Sequence, residues 1–495
     1  MLEILYLLYL NTMGSGVILL AVVVATVVLT TTATPLDHYV NQPDSTYTYR
    51  YLTSITGPDY SIYILNMTSQ TWLTDKVTTT PVWWHYVSVI IPKEVEYTDT
   101  GFLWISSGSS LNGIPSATDK HIEMMTATAI KTKTVCGVIN QIPFQPIVFQ
   151  DDPTRKQRYE DSIIAWTWRK FLDNGSNPEI LLRLPMTKAV VRGMDTMSEF
   201  AKSFSGNLIT KFVIGGESKR GWTTWTTAAV DKRVIGMVPT VMDLLNLQKN
   251  MHHHYRSLGG WTFEFEDYYN ESVTYDLDSP NMPLMEAVID PLTYSNRYTM
   301  PKMIVTTSGD EFFLPDDSYY YFDQLPGPKF LRIIPNAEHS MTGHMMSNIL
   351  AIESFYLNIL EKATFPSITW TRSSTSLSGK IILTTSEVPS NVTVYYSKTL
   401  DGIRRDFRLA VKDPNTGEGK IHPVVWLSKS ATQLSALQYQ AEVDVPLIGW
   451  AAFFIQVQFP GLKNSILEFT TEAHIIPETF PFPDCSGQSC YGTLV

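Results

Sequence analysis

Cysteine is almost missing from this chain: Cys136, Cys485 and Cys490 are the only three in 495 residues. Their spacing matches no zinc site, and it is far too sparse for a disulfide-built scaffold. Cys485 and Cys490 are close enough for a small loop disulfide in an oxidising compartment, which leaves Cys136 as a buried apolar residue. Positive charge is also scarce. Against 48 acidic residues stand 37 Lys and Arg, for a net charge of −11. No basic stripe is available to neutralise phosphates, so nucleic acid is excluded as a partner. No internal repeat or low-complexity tract is present. What the chain does have is apolar bulk: 44% hydrophobic against 17% charged residues, too apolar for disorder and ample for a packed core. At this length more than one domain is expected.

Three segments carry chemistry. The apolar run Phe212-Val213-Ile214 leads into Gly216-Glu217-Ser218-Lys219-Arg220-Gly221. Strand, glycine, serine and a helix-capable stretch is the layout of a nucleophile elbow, which lifts a serine hydroxyl above a parallel sheet. Arg220 stands where the second glycine of G-x-S-x-G belongs, and Gly221 follows one position later. The competing role for Ser218 is a helix N-cap. Met303 to Thr307 reads as a buried strand running out into Asp310, and Phe330 to Ile334 as another running out into His339. Ser, Asp, His in that order, each past a strand end, is the α/β-hydrolase order. Asp316 and Asp317 compete for the acid role and His344 for the base. Asp310 is preferred because it follows its strand and a glycine directly, and His344 belongs to the start of a helix, Met345 to Leu360.

The ten residues Gly216 to Trp225 resemble the signature of the PhoPQ-activated pathogenicity-related family. The resemblance continues through Asp231 to Val234, Asp290-Pro291, Ser308 to Pro315 and Pro335 to Ser340. It starts near Thr34-Pro35-Leu36-Asp37 and reaches Pro481 to Cys485, nearly the whole chain beyond the leader. Glu217 stands where the family carries a small residue. Membership implies a secreted, α/β-hydrolase-like protein, with extracellular signalling that represses cell proliferation better attested than any defined substrate. A basic residue after the serine, with glycine three positions on, is also similar to glucuronoyl esterases. Lys219 and Arg220 then bind an anionic substrate group, or stand in ion pairs.

The remaining sequence is read around this centre. Residues 1–34 form a targeting segment. No Lys or Arg precedes Arg50, and Gly16 to Leu29 is an unbroken apolar run of signal-peptide length. A cleaved leader is preferred to a single-pass anchor, with Met13 an alternative start. Four sequons, at Asn66, Asn174, Asn270 and Asn391, fit the secretory route. Residues 35–363 are assigned to a mostly parallel sheet flanked by helices, with 35–59 leading in and Ile147 to Phe149 as a short strand. A lid spans about 244–298, and in it His252-His253-His254 reads as a solvated or lid face. The loop after Gly101 to Ile105 is assigned one oxyanion N–H, at Gly108 or Ser109, and Lys219 supplies the other. Alternating short strands over 366–475 read as a β-sandwich of immunoglobulin or fibronectin type III kind, followed by a tail, 476–495.

These residues describe a reaction that needs no cofactor and no metal. Ser218 attacks an acyl carbon, His339 takes its proton, and Asp310 orients the imidazole. The expected partners are a small acyl or peptide substrate, a cell-surface receptor, or both, with a membrane only if the leader is retained. The competing classes are a signalling protein that keeps a relic triad, and a purely adhesive ectodomain.

Overall fold

A computed structural model of the chain describes residues 33–413, 415–417 and 419–495. The apolar leader, whether signal or anchor, lies outside the described residues. Among the described residues no helix is long and apolar enough to cross a membrane.

The strands β1 (Thr48–Thr56), β2 (Tyr60–Thr71), β3 (Val82–Pro92), β4 (Tyr97–Ile105), β5 (Thr134–Ile139), β6 (Lys211–Glu217), β7 (Val234–Thr240), β8 (Lys302–Thr307) and β9 (Lys329–Ile334) lie in one sheet. Their spatial order is β1-β2-β3-β5-β4-β6-β7-β8-β9. β1 to β3 are antiparallel, and from β5 to β9 every pair is parallel. The 35–59 segment is therefore more than a lead-in, since it holds α1 (Pro35–Asn41) and the edge strand β1. Ile147 to Phe149 form no strand. Ile147 and Phe149 make only isolated bridges, to Arg158 and Thr78.

The central strands read as apolar runs because both faces are covered. On β4, Leu103 and Ile105 face one core, while Phe102 and Trp104 face the other. The first face is covered by α4 (Arg183–Ser205) and α5 (Lys219–Val230), which contribute Met194, Met197 and Trp225. The second is covered by α2 (Lys120–Thr132) and α9 (Met345–Leu360), which contribute Ile122, Met125, Ile352 and Phe355. α3 (Glu160–Asp173) precedes α4. Between β7 and β8 the chain makes a helical excursion that includes α6 (Leu247–Leu258), α7 (Glu266–Asn270) and α8 (Met282–Ile289).

From Ile368 onward the chain builds antiparallel sheets. β10 (Ile368–Ser374) and β11 (Ser378–Thr385) pair with each other, and the strand Gln438–Asp444 adds to β11. A facing layer contains β12 (Asn391–Lys398) paired with Ala451–Pro460, which pairs in turn with Ile466–Thr470. Ile381, Leu383 and Ala441 of one layer share a core with Val394, Phe453 and Ile455 of the other. That second layer is hydrogen-bonded into the parallel sheet through Thr470 and Leu331 of β9. Thr470 Oγ1 also accepts from Ile333 N at 3.1 Å, and Phe469 stacks on Phe330 with ring centres 4.3 Å apart. The whole span Thr34–Val495 forms one compact unit.

The tail folds back onto the helical excursion. Trp261 exchanges backbone hydrogen bonds with Thr493 and Val495, and its indole N–H donates to the Cys490 carbonyl. Cys485 and Cys490 are disulfide-bonded, and Gly487 N in the loop they close donates to Asp278.

Candidate active site

Parallel strands end at one edge of a sheet, and here β6, β8 and β9 deliver Ser218, Asp310 and His339 to the same edge. Ser218 sits in a strand-to-helix turn at φ 56°, ψ −126°, a region that non-glycine residues avoid. Its N–H is held by the Thr240 carbonyl at 2.8 Å. The side chain makes no N-capping hydrogen bond, so its hydroxyl is not engaged by α5. The turn is tight enough that a Cβ on Gly221 would meet Met242 Cβ and the Thr240 carbonyl oxygen at 2.9 Å. Gly221 thus does the close-packing job of the missing second glycine, one position late.

Asp310 is sequestered beside its strand. One carboxylate oxygen accepts from the Phe312 and Phe313 amides at 2.8 and 3.3 Å. His339 Nδ1 lies 2.9 and 2.8 Å from the two oxygens, which leaves Nε2 as the outward nitrogen. The imidazole packs against Phe312 with ring centres 4.5 Å apart, and its backbone N–H is held by Glu311 at 2.9 Å. Burial pulls the His339 pKa down, but the charge and hydrogen bond of Asp310 outweigh it and hold it above the ordinary 6.5. Glu311 has little water to stabilise its charge, and burial pushes its pKa up to about 7 despite the His339 amide.

The competitors are engaged elsewhere. Asp316 is bound by His253 and Arg405, Asp317 accepts from the Leu314 amide, and His344 precedes α9. Ser218 and His339 line one polar cleft of about 220 Å³. Among the described residues no hydrogen bond joins Ser218 Oγ to His339. Ser218 also lines an apolar slot of about 40 Å³.

The oxyanion assignment changes in part. Lys219 opens α5 directly after the serine, with its N–H in the orphan first turn of the helix. Ser109 N–H already donates to Asn112 Oδ1 at 2.6 Å, and neither Gly108 nor Ser109 lines the cleft. Ser107 of the same loop does line it.

Several neighbours had no legible signal. Lys219 Nζ is paired with Glu160 at 3.1 Å and Asp161 at 2.9 Å, and Arg220 is also paired with Glu160. The two cations after the serine are therefore neutralised by α3 and not free for an anionic substrate. Burial would raise the Glu160 pKa, but Arg220 and Lys219 hold it at about 2. The buried Arg183 donates to the Lys219 carbonyl at 2.6 Å and to Thr223 Oγ1, bracing the elbow from α4. Glu217 points to His121 Nε2 and Lys120 Nζ, each at 3.3 Å, and His121 Nδ1 in turn meets Ser106 Oγ at 2.7 Å. These partners lie far apart in sequence, and a lone histidine or acidic pair carries no spacing to read.

The three adjacent histidines are not a solvated face. His253 and His254 are buried, His254 stacks against both Trp261 and Phe265, and His252 bridges Asp278 and Asp484. Of the sequons, Asn174, Asn270 and Asn391 are exposed, whereas Asn66 is half-buried in β2, opposite Arg50 and Tyr86.

The strand order, the elbow and the serine, acid and base positions define a protein of the α/β-hydrolase fold. The chain belongs to the family described as PhoPQ-activated pathogenicity-related protein, which it matches over residues 36–408. It is 40% identical over 487 residues to autocrine proliferation repressor protein A of Dictyostelium discoideum, covering 96% of this chain and 97% of that one. Among solved structures it is similar to an acetyl xylan esterase from Paenibacillus sp. R4, with a TM-score of 0.44 and 15% identity over 63% of this chain and 91% of that one. An acylaminoacyl peptidase from Pyrococcus horikoshii gives a TM-score of 0.38 and 12% identity over 65% of this chain and 43% of the other.

Proposed function

We propose that the chain is a secreted serine hydrolase acting on carboxylic esters through Ser218, His339 and Asp310. The observation that carries this reading is the His339–Asp310 pair, whose free Nε2 shares a cleft with a serine that caps no helix. Ser218 Oγ adds to the acyl carbon while His339 Nε2 takes its proton. The N–H groups of Lys219 and Ser107 receive the oxyanion. Collapse returns the proton to the departing alcohol, and water then releases the acid by the same steps in reverse. Labelling the purified protein with a fluorophosphonate tests this: the wild type reacts and Ser218→Ala does not. Equal labelling of both would refute it.

The 40% identity to a proliferation repressor favours a second reading, in which the protein represses cell proliferation from outside the cell through a cell-surface receptor. The two readings are compatible. Adding purified wild type and Ser218→Ala to growing cells separates them, since repression by both means that signalling does not need the serine. The closed disulfide loop and three exposed sequons support export. We read the facing antiparallel layers beyond residue 366 as an immunoglobulin-like sandwich.

A further inference from the structure

Ser218 lines two spaces of opposite character, and together they select a substrate. The slot is walled by Trp168, Trp222, Met242, Met251, Phe265 and Phe312. Its volume, about 40 Å³, holds roughly three heavy atoms at 10–15 Å³ for each water-sized probe. The charged side chains lining it are Asp161 and Lys219, which are bound to each other. Tyr268 OH donates to the other Asp161 oxygen at 2.8 Å, and Lys219 also holds Glu160. A charged acyl group would enter an apolar slot whose charges are already matched, at the cost of its own hydration. Two of its walls, Trp168 and Trp222, meet edge to face with ring centres 5.7 Å apart.

The cleft that holds His339 is different. It measures about 220 Å³ and presents Ser107, Lys120, His121, Glu217 and Ser340 beside His339. Hydroxyl, ammonium and carboxylate groups there suit a hydroxyl-bearing leaving group better than an alkyl chain.

We infer that the substrate is an ester of a short, uncharged acyl group, two to four carbons long, with a polyol. This rests on the hydrolase reading above. The acyl methyl groups enter the slot, the Ser218 Oγ–acyl bond forms as the ester C–O bond breaks, and the polyol leaves with the proton from His339.

The test uses the purified full chain with p-nitrophenyl esters of two, four and eight carbons. Expected is a kcat/KM at least tenfold lower for octanoate than for acetate or butyrate. Met251→Ala, or Met242→Ala if the first fails to fold, opens the slot and moves the optimum to longer chains. Glycerol monoacetate is also set against pentyl acetate, of similar length, with at least tenfold preference for the glycerol ester expected. Octanoate cleaved as fast as acetate, faster cleavage of amino-acid p-nitroanilides, or indifference between the two alcohols overturns the inference. In each of those cases Ser218 still takes the fluorophosphonate, so the hydrolase reading survives. Failure of that label as well brings down both.

Discussion

At the scale of single residues, the site depends on how charge is shared between His339 and Asp310. A general base works only when neutral, and the Asp310 carboxylate keeps the imidazole protonated to higher pH than usual. Esterase activity is therefore expected to rise with pH through a midpoint above 6.5, the ordinary histidine value. Asp310→Asn removes the charge and, with its amide oxygen held by the Phe312 and Phe313 N–H groups, turns an NH2 donor toward His339 Nδ1, which favours the wrong imidazole tautomer. Its kcat is expected to fall by about 10⁴-fold, as for the equivalent change in a serine protease triad. Any residual activity should show its acid limb shifted to lower pH. A kcat/KM profile from pH 5 to 9 for both proteins checks this, and an unshifted limb would separate His339 from the reaction. Ser218, Asp310 and His339 were legible because each lies within a few residues of an apolar run. Arg183, Glu160 and His121 were not, because only the folded chain brings them within reach of the elbow.

At the scale of elements, the elbow works because α5 leaves β6 almost without clearance. A methyl group on Gly221 would press on Met242 Cβ and on the Thr240 carbonyl of β7, neither of which can swing away. Gly221→Ala is expected to cost about 1–3 kcal/mol, in the range of overpacked sites. It should also slow fluorophosphonate labelling by tilting Ser218. Thermal unfolding and a labelling time course read the two effects, and unchanged values for both would remove the close-approach role. The helical excursion shows why residue type alone misleads. His253 and His254 read as solvent-facing in a polar string, but α6 turns them into a crowded interior beside Asp316 and Trp261.

At the scale of the whole molecule, the start of the alternating short strands near residue 366 coincides with a change from α/β to antiparallel structure, but hydrogen bonding continues across it. The buried Arg332 of β9 pairs with Glu468, Phe330 stacks on Phe469, and Thr470 joins the sheet edge. Ending the chain at residue 365 would expose that edge and leave Arg332 without its carboxylate. An uncovered apolar edge strand invites association, so a fragment of residues 33–365 is expected to be insoluble or aggregated where residues 33–495 are monodisperse. Size-exclusion chromatography of the two decides it, and a stable, soluble short fragment would mean the seam is dispensable.

The hydrolase sheet, the elbow and the order of serine, acid and base could all be read from the sequence. Each rests on a local pattern: an apolar run of strand length, a glycine where backbones crowd, a polar residue just past a strand end. Local patterns report what a segment does with its neighbours in the chain. Which groups neutralise Lys219 and Arg220, which loop residue lines the cleft, and how large the slot beside Ser218 is were decided only by tertiary structure. Those properties arise between residues tens to hundreds of positions apart, where charge pairing and packing volume depend on distances in space that no spacing in the sequence records.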